Sequence, residues 1–323
     1  MPMRAMPMAV SIACVLATAN AALANDTVRV ASAQKGFWDT TILLYGDSAG
    51  IFKAEGLDLE ITWTSGGAAP EQAVISGSVD LAAANGILGA VTAYAKGAPV
   101  RIVAAEATGV NDLFWYAKAE SGLKSFSELA GKTVGFSSPG SSSNMVALAL
   151  IEKAGVNAKP VPTGGAPATL TQVMSGQIDV GWAVPPLFFD LIDQGTLRIV
   201  GRGLDIPEMR DQTVRVFETN TDTLKNRRQV LVRFFRAYQK VLDWAYSEPK
   251  ALEDFAADNK VSIDQARRAR DEFYPKAALE LAPVSNLDLT VKQAIDLKRL
   301  SAPLTPEQVK ELIDIVYDPR RDK

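Results

Sequence analysis

Residues 73–80 read AVISGSVD and residues 172–179 read QVMSGQID, ninety-nine positions apart. Both octapeptides look like a helix end: a Ser-Gly stop, one polar residue, a β-branched residue and an aspartate. Each runs into a short apolar stretch, residues 81–84 or 180–183. The coincidence extends along the chain. Gly56 and Gly155 share the offset, Ser65-Gly66-Gly67-Ala68 and Thr163-Gly164-Gly165-Ala166 match at 98, and the strand-then-turn segments 30–36 and 134–140 match at 104. Glycines, helix stops and strand starts that fall into register indicate a duplicated unit. Each copy, near 28–104 and 132–200, alternates strand, helix, strand, helix, strand. That order predicts an α/β fold of two lobes, each a mostly parallel sheet flanked by helices.

Two extended runs frame the second copy: DLFWYAK at 112–118 and TVRVFET at 213–219. They are predicted to cross between the lobes. Beyond residue 221 the pattern is helical. One helix starting at Asp222 or Thr223 gathers Leu231, Phe234, Phe235, Tyr238, Val241, Leu242 and Ala245 on one face. Thr305-Pro306 reads as an N-cap followed by proline at the first helical position. The expected division is a leader over 1–24, the first part of lobe 1 over 25–111, crossing strands and lobe 2 over 112–218, and a return to lobe 1 with C-terminal helices over 219–323.

The leader follows from residue type. Arg4 is the sole charge in the first 24 residues, residues 6–19 are mostly apolar, and Ala22-Leu23-Ala24 fits signal-peptidase cleavage before Asn25. The apolar run is too short to span a membrane comfortably. Cys14, the one cysteine, lies in this leader. Ser11 stands where a lipid-attachment motif usually has leucine, so Cys14 reads as part of the apolar run and not as an anchor. The chain contains no histidine. His-based triads and His-containing metal sites are excluded, and without a cysteine beyond the leader so are thiolate sites. No Asp/Glu cluster has calcium-loop spacing, so no metal or cofactor is expected. A formal charge of −3 over 323 residues gives no basic field for nucleic acid.

Ligands of open α/β sheets bind beyond the carboxyl ends of the strands. Here those ends carry Gln34, Lys35, Gly36, Phe37 and Trp38, then Gly66 with Gly67, then Asn85, and in the second copy SSPGSSSN at 137–144, Gly164 with Gly165, and Trp182. The serine-rich turn opens a helix, where unpaired N–H groups and the positive end of the helix dipole attract an anion. Gly140 allows close approach, and Ser141, Ser142 and Ser143 add hydroxyls, so a cradle for sulfonate, carboxylate, nitrate or phosphate is expected. Simple capping is the other reading. Trp38, Trp115 and Trp182 are expected near the same cleft as stacking walls. Glu106, at a strand end, could meet a cationic group on the ligand.

An ordered set of motifs carries a resemblance. It comprises VRV at 28–30, QKG at 34–36, GIFKAEGLDLE at 50–60, SGSVD at 76–80, KGAPV at 96–100 and LAGKTVG at 129–135. Over about residues 27–245 the chain resembles periplasmic substrate-binding proteins of ABC transporters, in the nitrate/sulfonate/taurine group. The resemblance implies a type II two-lobed fold, a monomer, export to the periplasm, no catalysis, and delivery of one small solute to an inner-membrane permease with its ATPase. It maps Ser138, Ser141 and Ser142, with Ser137 beside them, to the anion-holding turn. It maps Phe37 and Trp38 to the first-lobe loop, Asn85 to the third strand end and Trp182 to the second-lobe wall. The aromatic pairs are bulkier than nitrate needs, and no arginine falls obviously in a strand-end turn. Both points favour a small organic anion. Two alternatives stand beside this one: a binding module feeding a sensor, and an enzyme akin to the fungal-type thiamine pyrimidine synthase of the same fold. The latter's histidine and cysteine chemistry has no counterpart here.

Overall fold

The structure, a computed structural model, describes residues 24–322. The predicted leader and Cys14 lie outside the described residues, apart from Ala24. The first copy of the repeat folds as β1 (Asp26–Ser32), α1 (Trp38–Ser48), α2 (Ile51–Ala54), β2 (Leu57–Trp63), α3 (Ala69–Ile75), β3 (Leu81–Gly86), α4 (Ile87–Ala95) and β4 (Val100–Thr108). The second follows β5 (Phe114–Lys118) as β6 (Thr133–Phe136), α5 (Ser142–Ala154), β7 (Lys159–Pro162), α6 (Ala166–Met174), β8 (Val180–Ala183), α7 (Phe189–Asp193) and β9 (Leu197–Arg202). The return begins with β10 (Thr213–Asn220) and the long α8 (Thr221–Ser247), then α9 (Pro249–Asn259), α10 (Ile263–Arg268), α11 (Leu287–Asp296) and α12 (Pro306–Leu312).

The duplication becomes two five-stranded sheets of matching plan. One runs β2-β1-β3-β10-β4 and the other β7-β6-β8-β5-β9. In each, the fourth strand is antiparallel to both neighbours and belongs to the chain that has just crossed from the other lobe. The run TVRVFET enters the first sheet as β10, and FWYAK enters the second as β5. The crossings themselves are the segments 109–113 and 203–212.

The repeated octapeptide is local physics. Gly77 and Gly176 take φ of +73° and +78° after α3 and α6, a left-handed turn that glycine adopts without strain. The aspartate that follows pins the neighbouring strand. Asp80 Oδ2 accepts the backbone N–H of Arg29 in β1 at 2.9 Å, and Asp179 Oδ2 accepts that of Thr133 in β6 at 2.9 Å. The motif therefore sets where the first strand of each copy starts.

The apolar face expected of α8 is buried, including Leu231, Phe234, Phe235, Tyr238 and Val241. It packs on Phe217 of β10, whose ring meets those of Phe235 and Tyr238 edge-on. The helix starts earlier than the sequence suggests. Asn220 is its N-cap and its side chain accepts from Thr223 N at 2.8 Å. Thr305 caps α12 with Pro306 inside, as predicted. The chain then lies along β4, where Asp314 N donates to Ile102 O.

Candidate functional site

The carboxyl ends of the parallel strands face each other across a small cavity between the lobes. The space amounts to about 30 Å³, room for about two water molecules. The first lobe contributes Ala33, Gln34, Phe37, Gly66, Gly67 and Ala84. The second contributes Ser137, Ser141, Ser142, Ser143, Trp182 and Val184. Leu113 and Arg215 complete the lining.

The serine turn does several jobs. Ser141 is the N-cap of α5, and its Oγ accepts from Asn144 N at 3.1 Å. Ser143 Oγ accepts from Ser137 N and lies 3.1 Å from both Ser137 Oγ and Ser141 Oγ. Asn144 Oδ1 accepts Gly140 N. Most of these hydroxyls thus hold the turn in shape, so the capping reading is right for Ser141. What remains for a ligand is the backbone and the hydroxyl of Ser142, whose Oγ accepts from Arg215 Nε. The first backbone bond within α5 runs from Met145 N to Ser141 O, so the preceding N–H groups of Ser142 and Ser143 have no carbonyl of the helix to take them.

Glycines let the lobes touch backbone to backbone here. Gly89 N donates to Gly140 O at 3.2 Å, and a Cβ on Gly86 would stand 2.2 Å from that same oxygen. Gly66 faces Ser138, whose Oγ would lie 3.4 Å from a Cβ there. Gln34 reaches across the cleft: its Oε1 accepts Ala166 N at 2.9 Å. It thereby caps α6, whose own N-cap is Gly165.

The aromatic wall is Phe37 and Trp182, edge to face at 6.2 Å, with Trp182 Nε1 donating to Gly164 O. Ser138 is not part of the lining, and four more of the expected residues lie elsewhere. Trp38 is 0 % exposed, donates to Tyr246 Oη at 3.0 Å and packs on Phe255. It is core of the first lobe because the first residue of α1 points into the helix layer while its N-cap, Phe37, faces the cleft. Trp115 is fully buried within the second sheet and donates to Gly135 O. Asn85 is fully buried and does not line the cavity; its neighbour Ala84, which does, takes a left-handed φ of 55°. Glu106 does not reach the cavity. It lies buried within β4 and accepts the N–H of Ala84. Burial, aided by the charge of Asp39, holds its carboxyl well above the usual range.

The residue the sequence reading missed is Arg215 of β10. Its guanidinium pairs with Asp39 through Nη1 and with Asp112 through Nη2, while Nε donates to Ser142 Oγ at 3.3 Å. Burial opposes its charge, but Asp112 and Asp39 more than offset that and keep it protonated. Burial also pushes Asp112 up to about 6, against the pull of Arg215. The available signal was an arginine at an interior position of an otherwise apolar, alternating strand.

Solved structures of the same two-lobed shape superpose on this chain over most of its length. The alkanesulfonate-binding protein SsuA from Xanthomonas axonopodis pv. citri, bound to MOPS, superposes with a TM-score of 0.72 at 17% identity, covering 89% of this chain and 97% of that one. The periplasmic aliphatic sulphonate binding protein SsuA from Escherichia coli gives 0.65 at 17% identity, covering 88% and 91%. The desulfurization enzyme DSZB gives 0.61 at 16% identity, covering 88% and 96%. These likenesses establish the two-lobed periplasmic-binding-protein fold. Comparison with curated protein sequences returns no match. Residues 38–252, which hold both sheets except β1 and most of the cavity lining, match the NMT1/THI5 like family, and the chain belongs to that family.

Proposed function

We propose that this protein is the extracytoplasmic solute-binding component of an ABC importer, capturing a small organic anion of sulfonate or carboxylate type between its lobes and passing it to an inner-membrane permease with its ATPase. The observation that carries this reading is the cavity itself. It joins free helix N–H groups of α5 and hydroxyls on one side to Phe37 and Trp182 on the other, at the strand ends where such folds take ligands. The sulfonate-binding proteins of like fold support it. Ligand entry requires the lobes to part about the two crossings, so binding is coupled to closure. The likeness to a desulfurization enzyme carries less weight, because this chain offers no histidine and no cysteine other than Cys14.

A thermal-shift screen of the purified protein tests the reading. The panel holds alkyl and aryl sulfonates, taurine, carboxylates, nitrate, phosphate, and neutral and cationic controls. A ligand at 100 times its dissociation constant adds roughly 2.7 kcal/mol of stability, a shift easily seen. Stabilisation by one class of organic anion is the expected result. Shifts confined to neutral or cationic compounds would overturn the anion assignment.

A further inference from the structure

Arg215 is the one charged side chain among the described residues that line the cavity. It is also outnumbered. Asp39 and Asp112, both buried, clamp its two terminal nitrogens, so two carboxylates stand against one guanidinium. Arg270 stands over the rings of Trp38 and Tyr246, at 5.8 and 5.5 Å, and pairs with Asp271. Lys35, close by in sequence, is 45% exposed and pairs with Asp258 at 3.1 Å. Burial and the charge of Asp39 push Glu106, behind Ala84, well above the usual carboxyl range. The phenols of Tyr238 and Tyr274, which also face this cluster, are kept neutral by burial and by the nearby carboxylates. With both aspartates ionised the clamp carries one net negative charge, and with Asp112 protonated it carries none.

An anion in this cavity is therefore held by hydrogen bonds instead of net charge. The donors are the free N–H groups of α5, worth about half a positive charge, and the hydroxyl of Ser142, which accepts from Arg215 and keeps its own proton to give. Arg215 adds two of its five N–H groups, since three are taken by Asp39, Asp112 and Ser142. Such donors satisfy one negative charge. A second would sit in a water-poor site beside carboxylates of like sign, where repulsion is strong. Taking the solute to be an anion, as proposed above, we infer that the cleft selects by ligand charge. It accepts monoanionic oxyacid groups (sulfonate, sulfate monoester, carboxylate) and rejects dianionic groups of the same shape. The Asp39–Arg215–Asp112 clamp makes the distinction.

Isothermal titration calorimetry with ethyl sulfate and ethyl phosphate, matched in shape, tests this at pH 5 and pH 8. A phosphate monoester has its second pKa near 6, so at pH 8 only about one part in a hundred is monoanionic. Ethyl sulfate should bind at both pH values, gaining a few-fold at pH 5 as Asp112 takes up a proton. Ethyl phosphate should gain far more, on the order of 100-fold, between pH 8 and pH 5. Ethyl phosphate binding as tightly as ethyl sulfate at pH 8 overturns the inference and leaves the anion assignment standing. Failure of both esters and of the alkyl sulfonates to bind overturns both. In Asp112→Asn, ethyl phosphate should gain at least about tenfold on ethyl sulfate at pH 8, because one carboxylate is gone. An unchanged ratio in the folded variant removes the clamp from the explanation. Should that variant not fold, the pH comparison on the unaltered protein decides alone.

Discussion

Phe37 and Trp38 are neighbours that serve different parts of the molecule. Phe37, in extended conformation at the N-cap of α1, meets Trp182 across the cleft. Trp38 fills the layer beneath α8 and α9 and is tied to Tyr246. Truncating each tryptophan should separate fold from binding. Trp38→Ala leaves a core cavity and is expected to cost about 3–5 kcal/mol, seen as a lower midpoint in urea with ligand affinity of the folded fraction unchanged. Trp182→Ala removes roughly 1.5–3 kcal/mol of apolar contact from the cavity wall. Ligand affinity should then fall tenfold or more while the urea midpoint moves less. The reverse pattern would put the cavity wall on the wrong tryptophan. Residue type alone told these two apart poorly, since either of two adjacent aromatics can face a ligand. Arg215 was hidden for a similar reason: the run 213–219 shows an arginine in a strand, but its partners Asp39 and Asp112 are more than a hundred residues away.

The elements that were legible are those set by nearby residues. Ser-Gly stops end α3 and α6, the aspartates after them fix β1 and β6, and Thr305 caps α12. The contacts that bring lobe to lobe were not, because they form between unrelated stretches of sequence. The cap of α6 is one such contact. Gly165 offers no side chain and Pro167 no N–H, so the first turn of α6 takes its acceptor from Gln34 of the opposite lobe. This bond exists only while the lobes are together. Removing it should weaken the closed state by about 0.5–1.5 kcal/mol. Gln34→Ala is accordingly expected to raise the dissociation rate of a bound ligand about two- to tenfold in stopped-flow measurements, with little change in the melting temperature of the ligand-free protein. An unaltered dissociation rate would mean that the cap plays no part in holding the cleft shut.

At the scale of the whole molecule, the duplication read from glycine spacing becomes two sheets of one plan, each completed by a strand from the chain's crossing. That architecture buries titratable groups between the sheets and their helices, and stability should carry their signature. Burial pushes Glu71 up to about 7, against the pull of Arg299, and Asp112 up to about 6. Glu106 and Glu218 are likewise raised well above the usual carboxyl range, by burial and neighbouring carboxylates. Each binds a proton in the folded state at pH values where the unfolded chain has lost it, so stability falls as pH rises from about 4.5 through 7 and beyond. The strand-fixing aspartates act the other way. Despite some burial, bonds from Arg29 and Arg227 hold Asp80 below its usual 3.8, and bonds from Thr133 and Lys132 do the same for Asp179. Arg320 holds Asp318 at about 2. Their contribution is complete above 3.8 and is lost as pH drops toward 2. Melting temperature measured from pH 3 to pH 8 in constant salt should therefore peak between about 4 and 5, lower than the near-neutral optimum of most proteins. Glu71→Gln should flatten the decline between pH 5 and pH 7 without moving the acid limb. A plateau from pH 5 to pH 8 in the unaltered protein would mean that these carboxyls reach water or a counter-charge in solution, and that the lobes there do not pack as closely as the contact between Gly89 and Gly140 requires.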